Sequence, residues 1–400
     1  MFSCLALWAA ISSQADAATW RTAQLFDLTR AAAMAPAEGL APRADLERLE
    51  NTGYASASGA DAIVDKLADN LFESLANAYA RGDVEPRSVD KDWRIARPAL
   101  DLARLKQDLE AGAMPSALLA SLLPQTPEYN LLRQQLALVS AEPPGKERDD
   151  KLLRIRANLE RLRWLPRILP AARVEVRIPA YRLDLYRGAR VVSHDVIVGA
   201  RRTPSPTFAA EIQSVTLNPV WDPPASIERE LISRFRRNRA AAVRERFEGV
   251  LPNGQIVDAA QINWNAKPFV YDIRQRPGPA NALGLIRFNL PNPYAVYLHD
   301  TPSRALFDRE KRALSHGCIR VRDPMALAIA LLDSAEWDEA SLAAAAKPGE
   351  TVVVSLPTSI PVYILYMTTD INDGAITYYG DVYRRDQVIV DALDKAQTAS

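Results

Sequence analysis

The sequence predicts an α+β protein: a helical N-terminal scaffold domain followed by a β-rich domain, a mixed β-sandwich, that carries an inserted helical segment. Three observations predict it. Apolar residues recur at near-fourfold spacing from about residue 20 to 165, the period falls to two after Pro170, and an Arg- and Glu-rich run at 227–260 interrupts the two-residue period. A chain of 400 residues also exceeds one ordinary core, so more than one folded unit is expected. The 49 basic residues are matched by 49 acidic ones, which leaves no basic excess to hold a phosphate backbone. Nucleic acid is therefore not expected as a partner.

The first residues, MFSCLALWAAISSQADA, hold a short apolar run followed by small and polar residues and Ala15-Asp16-Ala17. That run is too short to span a bilayer. Residues 1–17 read instead as a cleaved export signal, although the usual positive charge ahead of the apolar run is absent. Removing them takes away Cys4 and leaves Cys318 as the one remaining cysteine, with no partner for an internal disulfide.

Residues 18–165 read as the helical domain. Ile63, Leu67, Leu71 and Leu75 repeat every four residues and predict one apolar stripe. Thr126-Pro127 predicts a helix start, a capping hydroxyl followed by proline at the first helical position, with Leu132, Leu136 and Val139 on the buried side. Residues 140–150, SAEPPGKERDD, read as a polar linker, and KLLRIRANLERLRW as a further helix stopped by Pro166. Nothing in this part carries a pattern of chemically active residues, so its expected role is a scaffold.

Residues 170–390 read as the second domain. Val174, Val176 and Ile178 alternate with charges, Leu183 and Leu185 continue the alternation, and Arg187-Gly188-Ala189 predicts a turn into VVSHDVIV, ending at Gly199. Helical spacing then takes over in the insertion, which closes on a Pro-Asn-Gly turn at 252–254. Further strands are expected at 269–273, 284–288, 295–298, 351–356 and 362–367, with a helix at 324–334. Residues 391–400 read as a tail.

The chemistry concentrates at 315–321, SHGCIRV, which holds one of two cysteines and one of three histidines. A thiol attacks a carbonyl only as thiolate, and a free cysteine with its ordinary pKa of about 8.5 is mostly protonated at neutral pH. His299 lies 318 − 299 = 19 residues upstream at the end of an apolar run, where a strand end can aim its ring at Cys318. His316, two residues from the sulfur, can orient the turn, and Gly317 can let backbone amides converge on an oxyanion. Arg320 can hold a substrate carboxylate or support the turn. Each has a plainer reading: Cys318 as a small buried hydrophobe, Arg320 as an ion-pair former, and His194 as a structural residue sharing a strand face with Val192, Val196 and Val198. A zinc site on His299, His316 and Cys318 is a sharper rival, but no CxxC or HExxH supports it, so no metal is expected.

These residues also carry a resemblance. HDTPSRALF followed by SHGCIRVRDP, together with IVGARRTPSPTF, NPVWDPPASI, RQRPGPANALGLIRF, PNPYAVYLHDTP, VYILYMTT and NLERLRWLP, resembles the L,D-transpeptidase family with its YkuD-type catalytic domain, in the large Gram-negative periplasmic subgroup. The similarity covers about residues 155–390 closely and the helical part loosely. It implies Cys318 as nucleophile, His299 as its base, and His316 and Gly317 as parts of the active turn. Ser315, Arg320, Tyr294, Trp221 and Asn218 fall in segments that line or support the family's substrate cleft, and 227–267 corresponds to its substrate-capping insertion. Where many relatives carry a small peptidoglycan-binding module, this sequence has only the 140–150 stretch.

The implied reaction is attack on the bond between diaminopimelate and D-alanine in a tetrapeptide stem, giving a thioester and free D-alanine. A diaminopimelate amine on a second stem then resolves it as a 3→3 cross-link. The implied partners are thus the peptidoglycan stem peptides, with carbapenems as covalent inhibitors, no cofactor and a periplasmic location. Water as acceptor makes the enzyme an L,D-carboxypeptidase, and a protein lysine makes it attach or detach an outer-membrane protein. The non-enzymatic alternative is a wall-binding scaffold.

Overall fold

The structure, a computed structural model, describes residues 20–53, 62–346 and 349–395. The expected signal at 1–17 lies outside them. The N-terminal part is built from helices, the longest being Ala62–Arg81 and Lys146–Trp164, around a core that includes Leu71, Phe72, Leu75, Tyr79, Tyr129, Leu132 and Trp164. Its apolar stripe differs from the expected one. A strict four-residue repeat drifts by about 40° per step on a helix of 3.6 residues per turn. Ile63 accordingly rotates out to 68% exposure, and the buried row runs through Val64, Ala68, Leu71, Leu75 and Tyr79 instead.

Thr126 caps the helix Pro127–Ser140 by accepting from the Tyr129 N–H at 3.3 Å. The expected linker at 140–150 is mostly helix, because Lys146–Trp164 begins with Glu147 and Asp149 in its first turn, where carboxylates favour a helix start. Only the short turn before Lys146 connects the two helices.

The second part is a nine-stranded sheet. Its strands are β1 (Ala172–Arg177), β2 (Arg182–Arg187), β3 (Arg190–Gly199), β4 (Phe208–Leu217), then, beyond the insertion's β5 (Phe247–Val250), β6 (Ile256–Asp258) and β7 (Asp272–Gln275), β8 (Ile286–Asn289), β9 (Leu298–His299), β10 (Ala313–Ser315), β11 (Ile319–Val321) and β12 (Val352–Leu365). The order is β10-β3-β11-β9-β8-β4-β12-β1-β2, and β2 pairs with β3 as well, so the sheet closes on itself. Closure gives β2 a partner on each side, while β10 pairs only with β3. Val176, Leu185, Val196, Phe288, Leu298, Ile319 and Val362 fill the interior, and Leu327 and Leu331 of the helix Pro324–Leu332 pack against them.

Two sequence expectations change here. The apolar runs at 351–356 and 362–367 belong largely to one long strand, β12, whose register shifts between Ser355 and Ile360. The run at 269–273 does not join the large sheet. It leads into β7, which pairs with β5 in a separate three-stranded sheet.

That small sheet and the helices Ala225–Arg237 and Arg239–Arg244 form the insertion, with their own core of Phe235, Phe247, Ile262, Trp264 and Ile273. It is larger than 227–267: its neck is the reciprocal backbone pair Trp221 and Gln275, at 2.8 and 3.1 Å. Asn281 staples the neck by donating to the carbonyls of Pro219, Gln275 and Arg276.

The C-terminal segment returns to the helical side through β13 (Thr369–Asn372), β14 (Ala375–Tyr378) and the helix Asp386–Lys395. Ile389, Val390 and Leu393 of that helix join the N-terminal core, so the tail expected from 391 begins inside a packed helix. No helix among the described residues is long and apolar enough to cross a membrane.

Candidate active site

β11 runs parallel to β9, with Ile319 opposite Leu298 and Arg320 opposite His299. On the other side of β9, Arg287 of β8 stands opposite His299, and Thr216 of β4 stands opposite Arg287. Leu298, Ile319 and Phe288 point into the closed core, and successive strand residues face opposite ways. Thr216, Arg287, His299 and Arg320 therefore form one row across the outer face.

Cys318 stands one residue before β11, at the end of the row. Its Sγ–H donates to the Ala295 carbonyl at 3.7 Å. Burial pushes the thiol pKa up, while the Tyr297 amide and the Arg320 guanidinium pull it back. His299 is buried, and its pKa falls to about 3, chiefly through burial and then through Arg320. Its Nδ1 lies 2.5 Å from the Asp300 carbonyl, which places the proton of the neutral ring on Nδ1 and leaves Nε2 as the acceptor. The resting pair is thus neutral thiol and neutral imidazole. A neutral thiol and a neutral imidazole within reach of each other can pass a proton as the thiol attacks, with no standing ion pair.

Arg320 is half-buried, and burial lowers its pKa. No carboxylate pairs with it among the described residues, and its Nε has no hydrogen-bond partner there. A cation left without a counter-ion beside a thiol is suited to an anion brought by a ligand.

The turn that holds Cys318 is tied internally. Gly317 adopts φ 115°, a conformation that favours glycine. Ser315 Oγ donates to the Cys318 carbonyl at 2.5 Å and accepts from the Gly317 N–H at 3.1 Å. Ser315 is buried under the turn and ties it internally. His316 makes none of these bonds. Its Nε2 lies 3.6 Å from Glu230 Oε2 on the insertion, with the imidazole 51% exposed. An open cleft of about 800 Å³ lies there, lined by His316, Arg229, Glu230, Arg234 and Arg237 among others. His316 is therefore the contact between turn and insertion, a different placement from the turn-orienting one expected. Among the described residues no three metal-binding side chains converge, which fits His316 turning to Glu230 while His299 commits Nδ1 to Asp300.

The remaining expected residues, Trp221, Asn218 and Tyr294, have the following contacts. Trp221 sits in the neck with its ring 6.1 Å from Phe247. Asn218 is a buried corner at φ 46°, its N–H donating to Leu285 O and its carbonyl accepting from Thr351 Oγ1. Tyr294 packs its ring 5.2 Å from Phe208, under the Arg94 guanidinium. Its neighbour is more telling: the Asn292 side chain gathers the N–H groups of Tyr294 and Val296 and the carbonyls of Leu290 and Val296. That local tie makes a loop where a strand was expected at 295–298, and it presents Ala295 O to Cys318. His194 is buried opposite Leu183, as a structural residue would be.

Residues 171–354 match the L,D-transpeptidase catalytic domain (YkuD), and residues 13–136 match a scaffold domain. A Haemophilus influenzae protein carrying the provisional name L,D-transpeptidase is 32% identical over 266 residues, 66% of this chain and 54% of the relative. The chain thus spans about half the length of the curated relative it matches. Among solved structures, an Ldtfm–avibactam carbamoyl enzyme aligns at 11% identity over 50% of this chain and 51% of the other, with a TM-score of 0.23. L,D-transpeptidase 1 of Mycobacterium tuberculosis aligns at 12% identity over 49% and 61%, with a TM-score of 0.18.

Proposed function

We propose that the protein forms 3→3 cross-links in peptidoglycan through a Cys318 thioester, a reading supported by the match of residues 171–354 to an L,D-transpeptidase catalytic domain and of residues 13–136 to a scaffold domain. The observation that carries the reading is the shared outer face of β9 and β11, which brings His299 and Arg320 beside the Cys318 turn. Cys318 Sγ attacks the carbonyl carbon between diaminopimelate and the terminal D-alanine of a tetrapeptide stem, and His299 Nε2 takes the thiol proton. The tetrahedral oxyanion collapses, the C–N bond breaks, and the D-alanine amine leaves with the proton from His299. A diaminopimelate amine of a second stem then attacks the thioester, gives its proton to His299, and expels the Cys318 thiolate, which recovers that proton. The route divides one acyl transfer into two easier ones without a cofactor.

Arg320 supplies the cation for a carboxylate of the donor stem. A carbapenem, which presents a strained acyl group and a carboxylate, acylates the same sulfur in this reading. The expected location is the periplasm, reached by export on residues 1–17.

The test is product analysis by mass spectrometry after incubating purified protein, and its Cys318→Ala variant, with disaccharide tetrapeptide. D-alanine release with a 3→3 dimer, only when the cysteine is present, supports the proposal. D-alanine release without dimer points to water or a protein lysine as acceptor. Equal release by the variant removes Cys318 from the chemistry, and no release by either protein favours a wall-binding scaffold.

A further inference from the structure

The carbonyls of the Cys318 turn are held from outside by the loop between β3 and β4. The Ser315 carbonyl accepts from the Ala200 N–H at 2.8 Å and from Thr203 Oγ1 at 3.1 Å. The Gly317 carbonyl accepts from Ser205 Oγ–H at 2.7 Å. The second bond matters because the peptide unit is planar and trans. The Gly317 C=O and the Cys318 N–H belong to one plane and point in opposite directions, so fixing the carbonyl aims the amide. Ser315 Oγ already takes the Gly317 N–H, and no described residue takes the Cys318 N–H. Of these two amides, that of Cys318 is the one left to meet an oxyanion formed at the carbonyl under attack.

Ser205 is itself fixed. It is fully buried, its Oγ accepts from the Gly199 N–H at 2.9 Å, and its N–H donates to Tyr383 Oη at 3.1 Å. Tyr383 Oη–H in turn donates to the Gly199 carbonyl at 2.7 Å. The loop is too tight at Gly199 for any side chain, since a Cβ there would lie 2.3 Å from the Thr203 carbonyl. Tyr383 stacks on Tyr366, and the Arg385 guanidinium lies over both rings. Arg385 pairs with Asp90 at 2.6 Å, and Asp90 Oδ2 also accepts from Thr207 Oγ1 at 3.0 Å. Asp90 belongs to the helical part. The contact path from the helical scaffold to the catalytic turn is thus continuous: Asp90, Arg385, Tyr383, Ser205, Gly317.

We infer that Ser205 and Tyr383 are positioning residues that aim the Cys318 N–H as the oxyanion donor, with the helical scaffold as their anchor. The inference rests on the transpeptidase reading, in which Cys318 is acylated. It separates two reactions of one sulfur. Acylation passes through an oxyanion, whereas alkylation by iodoacetamide does not.

The experiment measures both rates on full-length protein: acylation by a carbapenem, followed by intact mass, and alkylation by iodoacetamide across pH. In Ser205→Ala, acylation is expected to slow by about 10- to 100-fold, the scale of a displaced oxyanion donor. Alkylation is expected to change less than about threefold, with its pH profile in place. Tyr383→Phe, which keeps the ring stack, is expected to fall between Ser205→Ala and wild type in acylation. Ser205→Thr, which keeps the hydroxyl, is expected to restore most of the rate. Unchanged acylation in both Ser205→Ala and Tyr383→Phe overturns the aiming role and leaves the functional reading standing. An equal loss in both reactions also overturns it, because that pattern reports a disturbed thiol. Wild-type protein that alkylates but is never acylated sinks the functional reading, and the aiming role with it.

Discussion

Buried arginines occur in two regions of the molecule and are treated in opposite ways. In the helical scaffold, Arg163 is wholly buried and fully answered: Glu160 Oε2 accepts from it at 2.7 and 3.2 Å, and Tyr129 and the Glu38 carbonyl take the rest. Burial alone would lower its pKa, but Tyr129 and Glu160 together hold it above its ordinary range. Arg161 pairs with buried Asp386 at 2.6 Å, so its charge is answered although its Nη2 has no hydrogen-bond partner among the described residues. On the outer face of β11, Arg320 is half-buried with no carboxylate partner among the described residues, and its pKa falls. A satisfied buried pair is architecture. An unanswered cation is electrostatic stress retained where an incoming anion can relieve it.

The contrast is broken most severely in the scaffold. Glu160→Ala leaves Arg163 buried without a counter-ion and also orphans the N–H groups of Val84 and Trp164 that Glu160 Oε1 accepts. Denaturant unfolding is expected to show a loss of about 3–5 kcal/mol, as for other broken buried pairs. Activity should follow the folded fraction alone.

Arg320→Gln is expected to behave in the reverse manner. Removing an uncompensated cation leaves the unfolding midpoint near wild type, while turnover of tetrapeptide falls about 10- to 100-fold. Because Arg320 favours the Cys318 thiolate, the alkylation profile of the variant should move to higher pH. A variant that loses stability and keeps its turnover would make Arg320 an ordinary structural residue.

The same stress sets a pH dependence of stability. His299 has a folded pKa of about 3, below the ordinary histidine value of about 6.5 in the unfolded chain. Between these values the unfolded chain binds the extra proton. Stability is therefore fully present above pH 6.5 and lost as pH falls toward 3, with a slope of at most about 1.4 kcal/mol per pH unit from this group. Unfolding measurements should show that slope reduced in His299→Gln.

The smallest effect belongs to the link between turn and insertion. His316 and Glu230 are both largely exposed. Glu230→Gln should leave stability unchanged within about 0.5 kcal/mol, as expected for a solvated pair. A larger shift in the melting temperature would mean that the insertion is held by this contact.

What the sequence made legible follows the same division. Local rules exposed the caps, the helix ends and the alternation of β1 to β3, since each depends on neighbours in the chain. Cys318, His316 and Gly317 stood out because rare residue types were crowded into one turn, and His299 because it ends an apolar run upstream. Ser205 and Tyr383 did not, because a serine in a proline-rich loop and a tyrosine near the C-terminal end are common, and only the closed sheet brings positions 178 residues apart into contact. Ala295 escaped for another reason: its carbonyl does the work, and a carbonyl leaves no mark on residue identity. The helical stripe was misplaced at Ile63 because four-residue spacing was followed further than a 3.6-residue helix allows.

The central claim is that Cys318 carries the acyl group. Its most direct test is to incubate the protein with tetrapeptide stem, quench in acid, digest, and locate any adduct by tandem mass spectrometry. The account predicts a tripeptide-acyl adduct on the peptide containing Cys318, released by hydroxylamine as a thioester should be. D-alanine release with no adduct on that sulfur, or with the acyl group on another residue, would contradict it.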